Sequence, residues 1–170
     1  MPLRNKALIT ALSLIALLAG SLAHARNSDR KQPMDIASGY YLCDSGKTTT
    51  CTFSKRVTVT QGTLKIDSEA AVIVQTGDKP NSAKFTGGVT LHQEMDDGTP
   101  LNAKANALDY DMRTETIVLT GNVTIQQDRG TLSGERVTYH LKTGQIESGS
   151  SSGGGRVKMR IVPKDTPGAP

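Results

Sequence analysis

Three stretches of this chain repeat one another, and the repeat limits the fold more than any other feature. "RVTVTQGTLKI" begins at Arg56, "GVTLHQEMDDGTPLNA" at Gly88 and "NVTIQQDRGTLSG" at Asn122. Each reads Val-Thr-apolar-x-Gln, then a turn, then leucine. The first valines are Val57, Val89 and Val123, so the units stand 32 (57 to 89) and 34 (89 to 123) residues apart. Self-similarity at such a period signals stacked structural units. Within each unit the apolar period is two, which means strand and not helix. Val57, Val59 and Gln61 face one way, and Thr58 and Thr60 the other. Val89, Leu91 and Gln93 repeat the pattern, as do Val123, Ile125 and Gln127. Returning strands carry Leu64 and Ile66, then Leu108, Tyr110 and Met112, then Leu132, Val137 and Tyr139. The links between strands, "GT", "EMDDGTP" and "DRGT", vary in length, as surface turns tolerate.

The pattern extends both ways. Met34 to Phe53 reads as a weaker copy, and "GRVKMRIVP" adds a last strand. There Val157, Met159 and Ile161 share one face, with Lys158 and Arg160 on the other. At about 5–6 residues per strand, residues 34–162 have room for roughly 14–16 short strands. The chain has no Trp, 4 Tyr and 2 Phe, too few large side chains for a conventional thick core. An elongated all-β sheet folded over on itself suits this composition, with an apolar stripe inside and an open edge at each end. "SGSSSGGG", from Ser148 to Gly155, reads as a flexible connector, and residues 163–170 as a disordered tail.

Residues 1–25 are expected to be removed. Arg4 and Lys6 precede an apolar run that ends in Ala23-His24-Ala25, the order of a secretory signal peptide. Residues 26–33 would be a flexible lead and 34–162 one domain. Without the first 25 residues, 18 Lys and Arg stand against 16 acids. A net charge of +2 does not mark a nucleic-acid partner. Export makes a disulfide between Cys43 and Cys51 plausible.

The chain offers little to catalysis. "SGKT" at Ser45 to Thr48 has Tyr41 where a phosphate-binding loop needs its first glycine, so it reads as a polar turn. "NVT" at Asn122 is a strand entry more than a glycosylation site. His92 and Glu94 have no third partner in view. "EMDDG" lacks the spacing of a calcium loop, and Asp109 and Asp111 read as solvated. No catalytic residue, metal site or cofactor is expected.

The signal peptide, "RVTVTQGTLKIDSEAAVIV", "LTGNVTIQQ", "LSGERVTY" and "GRVKMRIVP" occur here in one order. Together they resemble the LptA/OstA family of periplasmic lipopolysaccharide transport proteins, over about Met34 to Pro163. The cysteine pair departs from the family pattern. The resemblance implies an open-ended, twisted, antiparallel β-jellyroll and a periplasmic location. It implies lipopolysaccharide as ligand, with acyl chains in an interior groove. It also implies head-to-tail self-association into a bridge, between an LptC-like component of an inner-membrane export complex and an LptD-like outer-membrane translocon. Met34, Ile36, Leu91, Tyr110 and Met112 match lumen-facing positions of the family, with Val57, Val59, Val89, Val123, Ile125, Val137 and Tyr139 in phase. Met34 and Ile36 would serve one assembling edge, and Val157, Met159 and Ile161 the other. Competing readings are a secreted β-solenoid-like assembly or adhesion protein with a dry core, and a carbohydrate-acting enzyme on a β-helix-like scaffold.

Overall fold

The computed structural model describes residues 29–77, 79–149 and 155–163. The expected signal peptide, residues 150–154 of the connector and the tail beyond Pro163 lie outside the described residues. A 3-10 turn, Asp29–Lys31, precedes ten strands. These are β1 (Met34–Ala37), β2 (Tyr40–Ser45), β3 (Thr48–Gln61), β4 (Leu64–Thr76), β5 (Lys79–Glu94), β6 (Pro100–Asp111), β7 (Thr116–Gln127), β8 (Gly130–His140), β9 (Gln145–Ser148) and β10 (Lys158–Ile161). They form one antiparallel sheet in the order β1-β3-β4-β5-β6-β7-β8-β10, with β2 also on β3 and β9 also on β8.

Strands β3 to β8 are 11 to 16 residues long, well beyond the expected five or six. Each is bent once. The register shifts at Ser54/Val57, Asp67/Ala70, Thr86/Val89, Lys104/Ala107 and Thr120/Val123, and β8 skips Glu135 between Gly134 and Arg136. The sheet therefore has ten strands and not the 14–16 short ones expected, because six strands run on through a bend where the sequence reads as two.

The bends follow one rule. On β3, β5 and β7 two successive residues take the left-handed conformation: Lys55 and Arg56, Gly87 and Gly88, Gly121 and Asn122. On β4, β6 and β8 a single residue is skipped: Glu69, Asn106 or Glu135. Each left-handed pair stands directly before the Val-Thr motif of its repeat. The bends align across the sheet and fold it into two arms. The first arm holds 57–61, 64–68, 89–94, 100–105, 123–127 and 130–134, with β1 and β10 at its edges. The second holds 48–54, 70–76, 79–86, 107–111, 116–120 and 136–140, with β2 and β9 at its edges. The arms face each other. Tyr139 at the end of the second arm donates its hydroxyl to the Met95 sulfur, 3.3 Å away at the tip of the first. One apolar core fills the space between them, from Val57 and Leu91 on one side to Phe85 and Val137 on the other.

Of the lead expected to be flexible, 26–33, the described residues start at Asp29 with an anchored turn. Asp29 is buried, and its carboxylate accepts bonds from the Thr63 amide, at 3.0 Å, and the Thr63 hydroxyl. It thereby pins the first turn onto the β3–β4 hairpin. Cys43 and Cys51 pair directly across β2 and β3 and are joined by a disulfide.

Gly87 and Gly88 separate two reasons for glycine at a bend. Both have positive φ, but a Cβ at Gly87 would lie 2.5 Å from the Glu69 Cβ, while one at Gly88 meets nothing within 4 Å. Gly88→Ala is expected to cost about 1–2 kcal/mol from backbone strain alone, and Gly87→Ala distinctly more. Urea unfolding of the two variants measures the difference. Equal costs would show that close approach to Glu69 does not select Gly87.

Candidate functional site

Every repeat contributes side chains to the space between the arms, so the site is built from its lining. On the first arm one inward row runs through all eight segments: Ile36 opposite Val59, then Ile66, Leu91, Ala103, Ile125, Leu132 and Met159. Val57, Val89 and Val123 lie two residues nearer the bend, and Gln61, Gln93 and Gln127 two residues nearer the tips. The second arm answers with Cys43, Cys51, Ile73, Ala83, Tyr110, Ile117, Tyr139 and Ile146. A parallel row runs from Tyr41 through Phe53, Ala71, Phe85, Leu108 and Leu119 to Val137. Period-two alternation places every one of these side chains inward, and the antiparallel register aligns them.

The twelve residues expected to line a groove therefore share one interior, but in two kinds of place. Val57, Val59, Val89, Leu91, Tyr110, Val123, Ile125, Val137 and Tyr139 are each 4 % exposed or less and pack on one another. Met34 and Met112 are half-buried, and Ile36 is exposed. Met34, Tyr110 and Met112 border a cavity of about 470 Å³ between the arm tips at the β1 end. Another, of about 510 Å³, lies at the opposite end between Leu132, Ile146, Met159 and Ile161. The middle of the interior is packed and its two ends are open, the β1 end lined by Gln32, Gln61, Lys79 and Glu115 as well as by Met34, Tyr110 and Met112.

Both edges of the sheet also expose apolar side chains. Tyr40, Tyr41 and Leu42 of β2 are more than half exposed, as are Met159 and Ile161 of β10. Tyr41 stacks on Phe53 with ring centroids 6.2 Å apart. The disulfide belongs to the same inward row as Tyr110, so it faces the interior at this end. It holds β2, which has no second neighbour in the sheet, against β3.

The acids lie elsewhere. Asp109 pairs with Lys84 at 3.8 Å on the outer face. Asp111 caps its turn, accepting from Arg113 and the Thr114 amide. The Arg113 side-chain bond holds its carboxyl below the ordinary aspartate value. Such a group adds stability that is complete above its ordinary pKa and fades as pH falls through the lowered one. His92 bonds Asn102 on the outside. These groups support turns and strand pairing, and they do not converge.

Sequence reading missed part of the lining. Phe85, Ile117, Leu119, Leu101 and Ala103 are buried but stand outside the Val-Thr motif. The signal for Phe85 was its place just before Gly87-Gly88. Met95 lay in a turn read only for its acids, and nothing in the sequence marks its contact with Tyr139.

Similarity to known proteins agrees with this architecture. Residues 41–145 match the family described as "LptA/(LptD N-terminal domain) LPS transport protein". The Lipopolysaccharide export system protein LptA of Haemophilus influenzae is 33 % identical over 163 residues, 94 % of this chain and 92 % of that one. The Escherichia coli K12 protein of the same name is 31 % identical, over 94 % of this chain and 87 % of its own. The crystal structure of LptH, the LptA-homologous periplasmic component of the lipopolysaccharide transport device of Pseudomonas aeruginosa, superposes with a TM-score of 0.70 at 22 % identity, covering 80 % of this chain and 99 % of that one.

Two stability measurements follow from the packing. Leu91→Ala is expected to cost about 2–5 kcal/mol by leaving a cavity in the packed middle, and Met112→Ala under about 2 kcal/mol at the open end. Chemical unfolding of both tests this; similar costs would mean that the β1 end is as tightly packed as the middle. Replacing Cys43 and Cys51 by serine should cost at most about 2–3 kcal/mol. Amide exchange should quicken in 40–45 and leave β5 to β7 unchanged. Acceleration spread over the whole sheet would contradict a local staple.

Proposed function

The chain belongs to the LptA/(LptD N-terminal domain) family of LPS transport proteins, and on that premise we propose that it is a non-enzymatic carrier bridging inner- and outer-membrane export complexes in the periplasm. Its cargo is lipopolysaccharide, held by its acyl chains between the two arms. One observation carries the reading. The inward apolar row of the first arm crosses the whole sheet and ends on exposed apolar residues at both edges, Ile36 at one and Met159 at the other. A closed core would end its rows under cover.

Each edge also offers backbone for strand addition, one short strand from each arm. Joining unlike edges, β1 and β2 of one protomer to β10 and β9 of the next, continues both arms and all their rows. Such a contact does not close on itself and builds a filament. An LptC-like component would load one end of this bridge, and an LptD-like translocon would receive at the other. Met34, Ile36 and Met112 meet the ligand first because they are the groove positions already open. The nine buried positions meet it only as the arms spread.

Photocrosslinking tests the route. A photoreactive residue at Met112 is expected to capture lipopolysaccharide readily, and one at Leu91 more weakly. Capture at neither position would end the carrier reading. For the bridge, light scattering should show mass rising with concentration. Deletion of residues 156–162 should hold it at one protomer. A full chain whose mass stays at one protomer over a wide concentration range would count against assembly.

A further inference from the structure

Each repeat carries a third inward position beyond its two apolar ones, and that position is always glutamine: Gln61, Gln93 and Gln127. All three lie at the tips of the first arm, Gln61 and Gln127 as the last residues of β3 and β7 and Gln93 one residue before the end of β5. Gln61 pairs with Leu64, Gln93 with Leu101 and Gln127 with Gly130. Strands β3, β5 and β7 are two apart in the sheet, so the glutamines are spaced by about 10 Å. Each borders its own cavity between the arms. That at Gln61 also meets Met34 and Met112. That at Gln93, about 260 Å³, meets Met95, Tyr139 and Leu141 as well as Glu94, Asp96, Asp97 and Thr143. That at Gln127 meets Leu132 and Met159.

Gln93 is 8 % exposed, and its Oε1 accepts no hydrogen bond. A buried amide oxygen without a donor is uncommon in folded proteins and is destabilising unless something supplies one. Two residues further in, each row is Val, Leu or Ile. The amides therefore stand where the apolar interior gives way to the open rim.

We propose that Gln61, Gln93 and Gln127 are three subsites for the amide and hydroxyl groups that join acyl chains to a sugar, Gln61 with its Nε2 already donating to the Gln32 carbonyl at 3.2 Å. Gln93 Oε1 accepts from an N-acyl N–H or a hydroxyl, while the chains lie among Val59, Leu91 and Ile125 behind it. The proposal rests on the acyl-chain reading above. A carboxamide fits this junction because it donates to a carbonyl and accepts from an N–H or O–H. Being neutral, it makes bonds weaker than charge-assisted ones, so a ligand can exchange one glutamine for the next between like partners.

The test compares two probes of equal chain length, N-dodecanoylglucosamine and methyl dodecanoate, alongside lipopolysaccharide. Gln93→Met keeps the side chain's length and removes its amide. The variant should unfold at the same temperature as the wild type or higher. It should bind N-dodecanoylglucosamine about tenfold more weakly, with methyl dodecanoate unaffected. Gln127→Met, at a half-buried position, gives the same readout should the buried substitution impair folding. Equal affinity of wild type and variants for the N-acyl sugar would overturn the proposal and leave the carrier reading intact. Equal weakening of both probes would assign Gln93 to packing and likewise overturn it. A wild-type chain that binds neither the probes nor lipopolysaccharide would remove the carrier reading and this proposal together.

Discussion

Everything in this structure depends on a line of backbone bends. A flat antiparallel sheet of six long strands would have two equivalent faces and no interior. Here a left-handed pair on every second strand, opposite a single skipped residue on its neighbours, turns each strand at the same height. Because antiparallel pairing locks neighbours into register, one bend enforces the next, and the sheet creases as a unit. Left-handed residues other than glycine are strained, yet Lys55, Arg56 and Asn122 adopt that conformation. The strain persists because both arms, with their ladders and shared core, fix the geometry on either side.

The crease also explains the edges. A sheet folded along a line perpendicular to its strands keeps its first and last strands unpaired, and each is now exposed in two arms at once. The chain supplies short strands to both: β1 and β2 on β3, β9 and β10 on β8. They move the open edge outward without closing it. At one end the addition is covalent, since Cys43–Cys51 ties β2 to β3. At the other, β10 is held by its pairing with Gly130–Ser133 and by the hydrogen bond that the Val162 N–H donates to the Arg129 carbonyl. The two ends are thus alike in design and unlike in attachment.

Much of this was legible because a strand's side-chain period is two and a buried face must be apolar. Val57, Val59, Val89, Leu91, Val123 and Ile125 announced the first arm directly, and their 32- and 34-residue spacing announced its repetition. The second arm was harder to read. Its inward residues, such as Ile73, Phe85 and Ile117, alternate as well, but no shared motif links them from strand to strand. The crease was least legible. Gly87-Gly88 and Gly121-Asn122 hint at it, whereas Lys55-Arg56 carries no conformational mark, and Glu69, Asn106 and Glu135 are ordinary surface residues by type. Nor does the sequence say which inward residues pack and which stay open. That depends on how closely the arms approach, a property set by contacts such as Tyr139 to Met95 between residues 44 apart.

The closeness of the arms bears on how a carrier lets go. A chain of about twelve methylenes moved from water to an apolar site gains on the order of 10 kcal/mol, and several such chains on one lipid would be held almost permanently. In this interior the gain is not all available. Val59, Leu91, Ile125 and Tyr110 already bury one another, so an entering chain exchanges side-chain contacts for lipid contacts, and only the difference favours binding. The half-open methionines at one end and the exposed β10 side chains at the other lie outside this exchange and can hold a chain without displacing the core. On the proposed acyl-chain reading, entry and exit would occur where contact is cheap, and passage through the middle would be close to neutral, because each repeat presents the same valine, branched aliphatic and glutamine. A packed interior is in this sense compatible with transport: it limits how strongly any single position can hold what passes.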